Sequence, residues 1–264
     1  MTIPVLTLHS LTKCFDQFTA VDHLDLTISK GEIFGFLGPN GAGKTTTIKM
    51  IAGLLQPSSG SLNICGHSMS TSAKICREIT GYIPDRPFIY EKLTGSEYLS
   101  FIGSLYTNKK TKINYREQSK KYLQLFDIQD WQDNLIESYS HGMRQKLIMT
   151  SIFMLDQPLI VVDEPMIGLD PKSARIVKEL FKQKARKGKT IFLSTHSMEI
   201  AEELCSRLSI IANGSIIATG SVEALKDQSE DGDGNLEDIF LQLTGAFELQ
   251  KIIAALRDDS ELRQ

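Results

Sequence analysis

The sequence predicts an α/β fold built on a mostly parallel sheet, and three observations carry that prediction. Uninterrupted apolar runs stand at Ile33-Phe34-Gly35-Phe36-Leu37, Leu159-Ile160-Val161-Val162 and Thr190-Ile191-Phe192-Leu193-Ser194. Each has strand length and no polar alternation, the pattern of a strand covered on both faces. Helix patterns follow the first two runs, at Thr46–Ala52 and from Lys172 to Lys187, where Gly188 suits the helix end. Between the first strand and its helix lies Gly38-Pro39-Asn40-Gly41-Ala42-Gly43-Lys44-Thr45.

The remaining elements follow in chain order. Residues 3–30 contain short alternating runs, Val5-Leu6-Thr7-Leu8 and Leu24-Asp25-Leu26-Thr27-Ile28, which read as strands. After the first helix, Gln56-Pro57-Ser58-Ser59-Gly60 turns the chain into a further strand, Ser61-Leu62-Asn63-Ile64. Residues 87–154 change character. Leu99, Ile102 and Leu105, then Tyr122, Leu125 and Phe126, recur at helical spacing and suggest a helical subdomain. Within it, Lys109, Lys110, Lys112, Arg116, Lys120 and Lys121 form a basic stretch. That stretch reads as a solvated helix face or as a contact for anionic headgroups. Asn213-Gly214 between two apolar runs predicts a tight hairpin. From Asp227 to Asp238 the chain is acidic and glycine-rich, a linker before a short C-terminal helical segment.

Bulk properties narrow the function. The 264 residues, 41% apolar, suffice for one large domain or a domain with subdomains. The formal net charge of −3 disfavours nucleic acid as the main partner. Cys14, Cys65, Cys76 and Cys205 have neither zinc nor redox spacing, so reduced thiols are expected. The N-terminal residues have no basic flank or long apolar stretch, which argues against a secretory signal. No run approaches the roughly 18–20 apolar residues of a spanning helix, so work at a membrane would need another chain to span it.

The glycine-rich loop carries the strongest chemistry. Strand, loop and helix in that order make a phosphate-binding loop. The glycines let the backbone curl so that N–H groups converge on a phosphate, and the helix start adds partial positive charge. Lys44 reaches the β- and γ-phosphates, and the Thr45 hydroxyl can bind Mg²⁺. With Thr46, these residues predict a nucleoside triphosphate site. Asp163 ends a buried strand at the sheet edge where ligands bind, and it can hold Mg²⁺ through water. Glu164 follows as a candidate base for the attacking water. His196, after the strand 190–194, is a candidate hydrogen-bond donor to the γ-phosphate or the water. Tyr139-Ser140-His141-Gly142-Met143 opens another helix with Ser140 as its N-cap. On these residues alone it is an ordinary capped helix.

Taken in order, these motifs resemble the nucleotide-binding subunit of an ABC transporter. Gly38–Thr45 is similar to the family's phosphate loop, and Tyr139–Met143 stands where its Leu-Ser-Gly-Gly-Gln signature belongs. Leu159–Glu164 resembles the second nucleotide motif, Gly168-Leu169-Asp170 the aspartate loop, and His196 the switch histidine. The likeness runs from about residue 5 to residue 220. It implies a P-loop NTPase core with a mostly parallel sheet, an antiparallel β subdomain around the nucleotide and an inserted helical subdomain. Residues 1–220 would form the ATPase domain, with the helical part at 87–154, and 221–264 a C-terminal extension. The cofactors implied are ATP and Mg²⁺. The partners implied are a second ATPase subunit and membrane-spanning permease subunits, with the chain on the cytoplasmic face of the membrane.

By the same resemblance, two subunits stack head to tail, and Ser140, Gly142 and Met143 bind the partner's γ-phosphate. Asp170 communicates across that interface. Phe15 matches the aromatic that stacks on adenine, with core packing the alternative. Phe88, Tyr90, Leu93 and Thr94 would dock a membrane subunit, with burial in the helical subdomain the alternative. Three residues depart from the family pattern. His141 replaces the first signature glycine, and Met143 the final glutamine. Asp85, in Gly81-Tyr82-Ile83-Pro84-Asp85, replaces the glutamine of another loop. A carboxylate there can bind Mg²⁺ but adds negative charge beside a triphosphate. The reading is the ATPase of a bacterial-type exporter. The alternatives are a non-transport ABC-type ATPase and a regulatory module that binds ATP without turnover.

Overall fold

A computed structural model describes residues 3–106, 114–226 and 236–244. The chain opens with the hairpin β1 (Leu6–Phe15) and β2 (Phe18–Ile28), then β3 (Ile33–Leu37) and α1 (Lys44–Ile51). Next come β4 (Ser59–Ile64), β5 (His67–Ser68), α2 (Ala73–Glu78) and β6 (Thr80–Ile83). A helical stretch follows, α3 (Gly95–Tyr106), α4 (Tyr115–Leu125) and α5 (His141–Phe153), with two single 3₁₀ turns before α5. The chain returns through β7 (Leu159–Asp163), α6 (Pro171–Arg186), β8 (Thr190–Thr195) and α7 (Met198–Leu204). It closes with the hairpin β9 (Arg207–Ala212) and β10 (Ser215–Ser221), then α8 (Val222–Lys226) and α9 (Leu236–Leu243).

The strands make two sheets. One has the order β10-β9-β3-β8-β7-β6. It is parallel from β9 to β6, and β10 adds an antiparallel edge. The other is antiparallel, ordered β2-β1-β4-β5. Every residue of β3, β7 and β8 is buried. The alternation of strand side chains explains why these runs are apolar throughout. Phe34, Phe36, Leu159, Val161 and Phe192 face a core shared with α1 and the antiparallel sheet. Ile33, Leu37, Ile160, Val162, Ile191 and Leu193 face the larger core under the other helices.

Helix α5 is anchored at its far end by a buried cation. Lys184 on α6 is 5% exposed. Its Nζ donates to the Phe153 carbonyl at 3.1 Å and to Asp156 Oδ1 at 2.9 Å. Burial opposes ionisation of Asp156, but hydrogen bonds from Lys189 and Lys184 outweigh it and hold the carboxyl below its ordinary value.

The structure sharpens several expectations. Helix α1 starts at Lys44, before Thr46, so the lysine and threonine of the loop lie in its first turn. Strand β4 starts at Ser59, inside the stretch read as a turn. Helices α2 and α7 have too few residues for a helical period to show. Asn213 (φ 49°) and Gly214 (φ 80°) form the expected tight turn. Arg116, Lys120 and Lys121 are exposed on α4. Lys109, Lys110, Lys112 and residues 227–235 of the acidic linker lie outside the described residues.

Candidate active site

The loop after β3 needs its glycines for two reasons. Gly41 (φ 82°) and Gly43 (φ 105°) adopt left-handed backbone. A Cβ on Gly38 would sit 2.4 Å from the Ile211 carbonyl oxygen, and one on Gly43 2.5 Å from that of Ala20. The loop is thus wedged between β9 and β2. Lys44 is buried, and its Nζ donates to the carbonyls of Gly38 at 2.6 Å and Pro39 at 3.0 Å. Burial pulls its pKa down, while the charges of Glu164 and Asp163 oppose that. An ammonium so held is an anion site with its own counter-charges in place.

Opposite the loop stand the ends of β7 and β8, adjacent parallel strands. The Thr45 hydroxyl donates to Asp163 Oδ2 at 3.1 Å. Asp163 is 2% exposed, and burial pushes its pKa up. The nearby Ser194 hydroxyl and the hydrogen bond from Thr45 counter this, while the charges of Asp85 and Glu164 add to it. Glu164 has φ 48°, a left-handed conformation that turns its side chain off the strand end. Its carboxylate accepts from His196 Nδ1 at 2.7 Å and from the Thr195 hydroxyl at 3.3 Å.

These groups share one cleft of about 540 Å³. Asn40, Gly41, Gly43, Lys44, Thr45 and Thr46 line its floor, with Asp85, Asp163, Glu164 and His196 on the far wall. Gly38, Pro39 and Ala42 are not among the lining residues and shape the loop from behind. Phe15 is 46% exposed at the hairpin tip and lines the same cleft, which excludes the core-packing alternative. Lys13 Nζ lies 5.0 Å from its ring centroid. Sequence reasoning missed Phe18, Ile167 and Thr195. Phe18 is the hairpin partner of Phe15, a signal that the strand pairing would have supplied.

The cleft fits a metal-bound triphosphate. Among the described residues, no three His, Cys, Asp or Glu side chains are arranged to hold a metal by themselves. Thr45 and Asp163 instead offer two hard oxygens beside the phosphate loop. That suits Mg²⁺, which keeps waters and takes substrate phosphates as ligands.

Ser140, Gly142 and Met143 are not among the cleft's lining residues. Ser140 is exposed, and its hydroxyl caps α5 by accepting from the Met143 N–H at 3.3 Å. Asp170 caps α6 and accepts from both the N–H and the hydroxyl of Ser173. Those bonds, with Lys146 at 3.0 Å, hold its carboxyl far below the usual carboxylate range. The four residues read as a docking surface separate into two kinds. Phe88 is 95% and Tyr90 60% exposed, beside a second cleft of about 400 Å³ between the 82–88 segment and helices α3 and α5. Leu93 packs partly buried against the main core, and Thr94 bonds locally with Glu97.

The model of the family described as "ABC transporter" matches residues 21–167, more than half of the chain. This chain belongs to the ABC transporter family. It is an ATP-hydrolysing, nucleotide-binding subunit of that family, and its fold is the ABC ATPase fold. It is 35% identical over 222 residues to the Nod factor export ATP-binding protein I of Ralstonia nicotianae, covering 84% of this chain and 68% of that one. It is 36% identical over 234 residues to the ABC transporter ATP-binding protein NatA of Bacillus subtilis, covering 84% and 94%. A solved ATP binding subunit of an ABC transporter superposes with a TM-score of 0.86 at 30% identity, over 91% of this chain and 99% of that one. Among the described residues no helix is long and apolar enough to cross a membrane.

Proposed function

We propose that this chain is the ATPase of an ABC exporter, bound at the cytoplasmic face of the membrane to permease subunits and paired with a second ATPase subunit. One observation carries the chemistry: Glu164, bonded to His196, shares the cleft with Lys44 and the Thr45–Asp163 pair. ATP lies with its base against Phe15 and its phosphates on the loop. Lys44 exchanges its two loop carbonyls for phosphate oxygens. Thr45 and Asp163 would hold Mg²⁺, which would supply charge neutralisation at the phosphates. Glu164 takes a proton from water as the water oxygen bonds to the γ-phosphorus. The bond to the β-phosphate oxygen breaks, leaving ADP and phosphate. His196 orients Glu164 and donates to the γ-phosphate.

The capped start of α5 supports the paired arrangement. Ser140 and His141 are exposed there and lie off the chain's own cleft, so the N–H groups of that turn not engaged by the Ser140 cap can meet a partner's γ-phosphate. Loss of that phosphate removes the bridge and opens the pair. The Phe88 and Tyr90 surface supports docking of a membrane subunit. The relative named for export supports the direction of transport. Residues 1–220 form the ATPase domain, with the helical part at 87–154, and 221–264 the extension.

Steady-state hydrolysis against protein concentration tests the reading. The rate per chain should rise with concentration at saturating Mg-ATP and vanish in Lys44→Ala. A rate per chain constant across a hundred-fold dilution would overturn the paired site.

A further inference from the structure

Within one chain, the first turn of α5 interlocks with the loop from Glu164 to Asp170. A Cβ built on Gly168 would lie 2.5 Å from His141 Cδ2 and 3.0 Å from its Nε2, so the imidazole covers that face of the glycine. A Cβ on Gly142 would lie 2.8 Å from the Gly168 carbonyl oxygen. Lys146, one turn along, pairs with Asp170 at 3.0 Å. The loop has little slack. Ile167 N–H donates to the Glu164 carbonyl and Leu169 N–H to that of Met166, both at 3.3 Å. Met166 and Leu169 pack against the main core. Glu164, in its left-handed conformation, heads the loop.

We propose that His141 is a positioning residue. Its ring sets the pose of the 164–170 loop, so that nucleotide held by a second subunit against Ser140–Met143 is registered at this chain's own Glu164. The inference rests on the paired-subunit reading. A glycine at 141 leaves the space over Gly168 empty. The imidazole fills it with a flat plate joined directly to the helix turn that meets the partner's phosphate. Movement of that turn then reaches Glu164 through two consecutive backbone turns.

The test uses the full chain with His141→Gly and His141→Gln, each also made in the Glu164→Gln background. His141 is exposed, so both variants should fold, and thermal midpoints check this. Glycine at 141 should lower kcat about ten-fold, the scale of coupling lost along a packed network. It should also bring the Hill coefficient for ATP towards one. Nucleotide affinity of the dilute chain should stay within about two-fold, because the α5 start lies off the chain's own cleft. Glutamine, which also reaches Gly168, should recover most of the kcat. Parent kcat and cooperativity in His141→Gly, or equal losses in both variants, would overturn the inference. The Glu164→Gln background separates the two failures. If that protein stays monomeric in Mg-ATP, the paired-subunit reading falls and takes the inference with it. If it dimerises, and His141→Gly alone keeps the parent kcat and cooperativity, only the role of His141 is lost.

Discussion

Replacing Glu164 by Gln exchanges one carboxylate oxygen for an NH₂ group and leaves the shape unchanged. The surroundings tolerate it. The amide oxygen can still accept from the Thr195 hydroxyl, now 3.3 Å away. The amide nitrogen then faces His196 Nδ1, now at 2.7 Å, which accepts instead of donating in the other tautomer. The fold should therefore change by less than about 1 kcal/mol, one exchanged hydrogen bond. The chemistry should suffer far more, because an amide cannot take the proton of the attacking water. Loss of a general base costs about 10²–10⁴ in rate, or roughly 3–5 kcal/mol at 1.36 kcal/mol per decade. Nucleotide affinity should hold or rise, since one negative charge beside the triphosphate is gone. Single-turnover phosphate release, nucleotide titration and gel filtration with Mg-ATP read the three effects. Phosphate release at the parent rate would refute the base assignment. A lost affinity would refute the geometric argument.

Three further perturbations address separate parts of the molecule. Asp85→Gln removes a charge that pushes the Asp163 pKa up, so hydrolysis should stay intact or rise; complete loss would show that the carboxylate itself is required. Gly43→Ala combines φ 105° with a Cβ 2.5 Å from the Ala20 carbonyl, whereas Gly41→Ala, at φ 82°, meets nothing within 4 Å. The first should lose about a hundred-fold in kcat/KM, the scale of a 1 Å displacement, and the second much less; equal losses would contradict the packing argument. Lys184→Met leaves the Phe153 carbonyl without that donor, at a cost of about 1–3 kcal/mol in urea unfolding. Asp156 has a depressed folded pKa, so its pairing stabilises the fold above the unfolded carboxylate value, about 3.9. That contribution fades as pH falls through the folded value. The gap between parent and variant should hold from pH 7 to 5 and narrow only in stronger acid; a gap that narrows between pH 7 and 5 would contradict it.

What sequence reading recovered depended on whether a residue's role was local. Strands β3, β7 and β8 were legible because burial on both faces leaves an unbroken apolar run. The phosphate loop was legible because its glycines, lysine and threonine act within one turn of backbone. For Phe15 the family resemblance pointed to the cleft but the residues alone left core packing open, since an aromatic at a strand end has the same neighbours in sequence whether it packs inward or lines a cleft. Leu93 and Phe88 likewise look alike in the chain and end with opposite exposure. The short helices α2 and α7 lack the length for a period to show.

The amino-acid order by itself determined the nucleotide chemistry: a loop that can only curl with glycine at set positions, a lysine at a helix start, and acidic residues at the end of a buried strand. Folding alone decided which distant groups meet. It brought Thr45 to Asp163, Glu164 to His196 and Thr195, and the His141 ring onto Gly168. Backbone torsions and apolar burial act between near neighbours and leave a pattern in the chain. Contacts between separate strands and loops depend on sheet order and on the angle of each turn, and no local pattern records those.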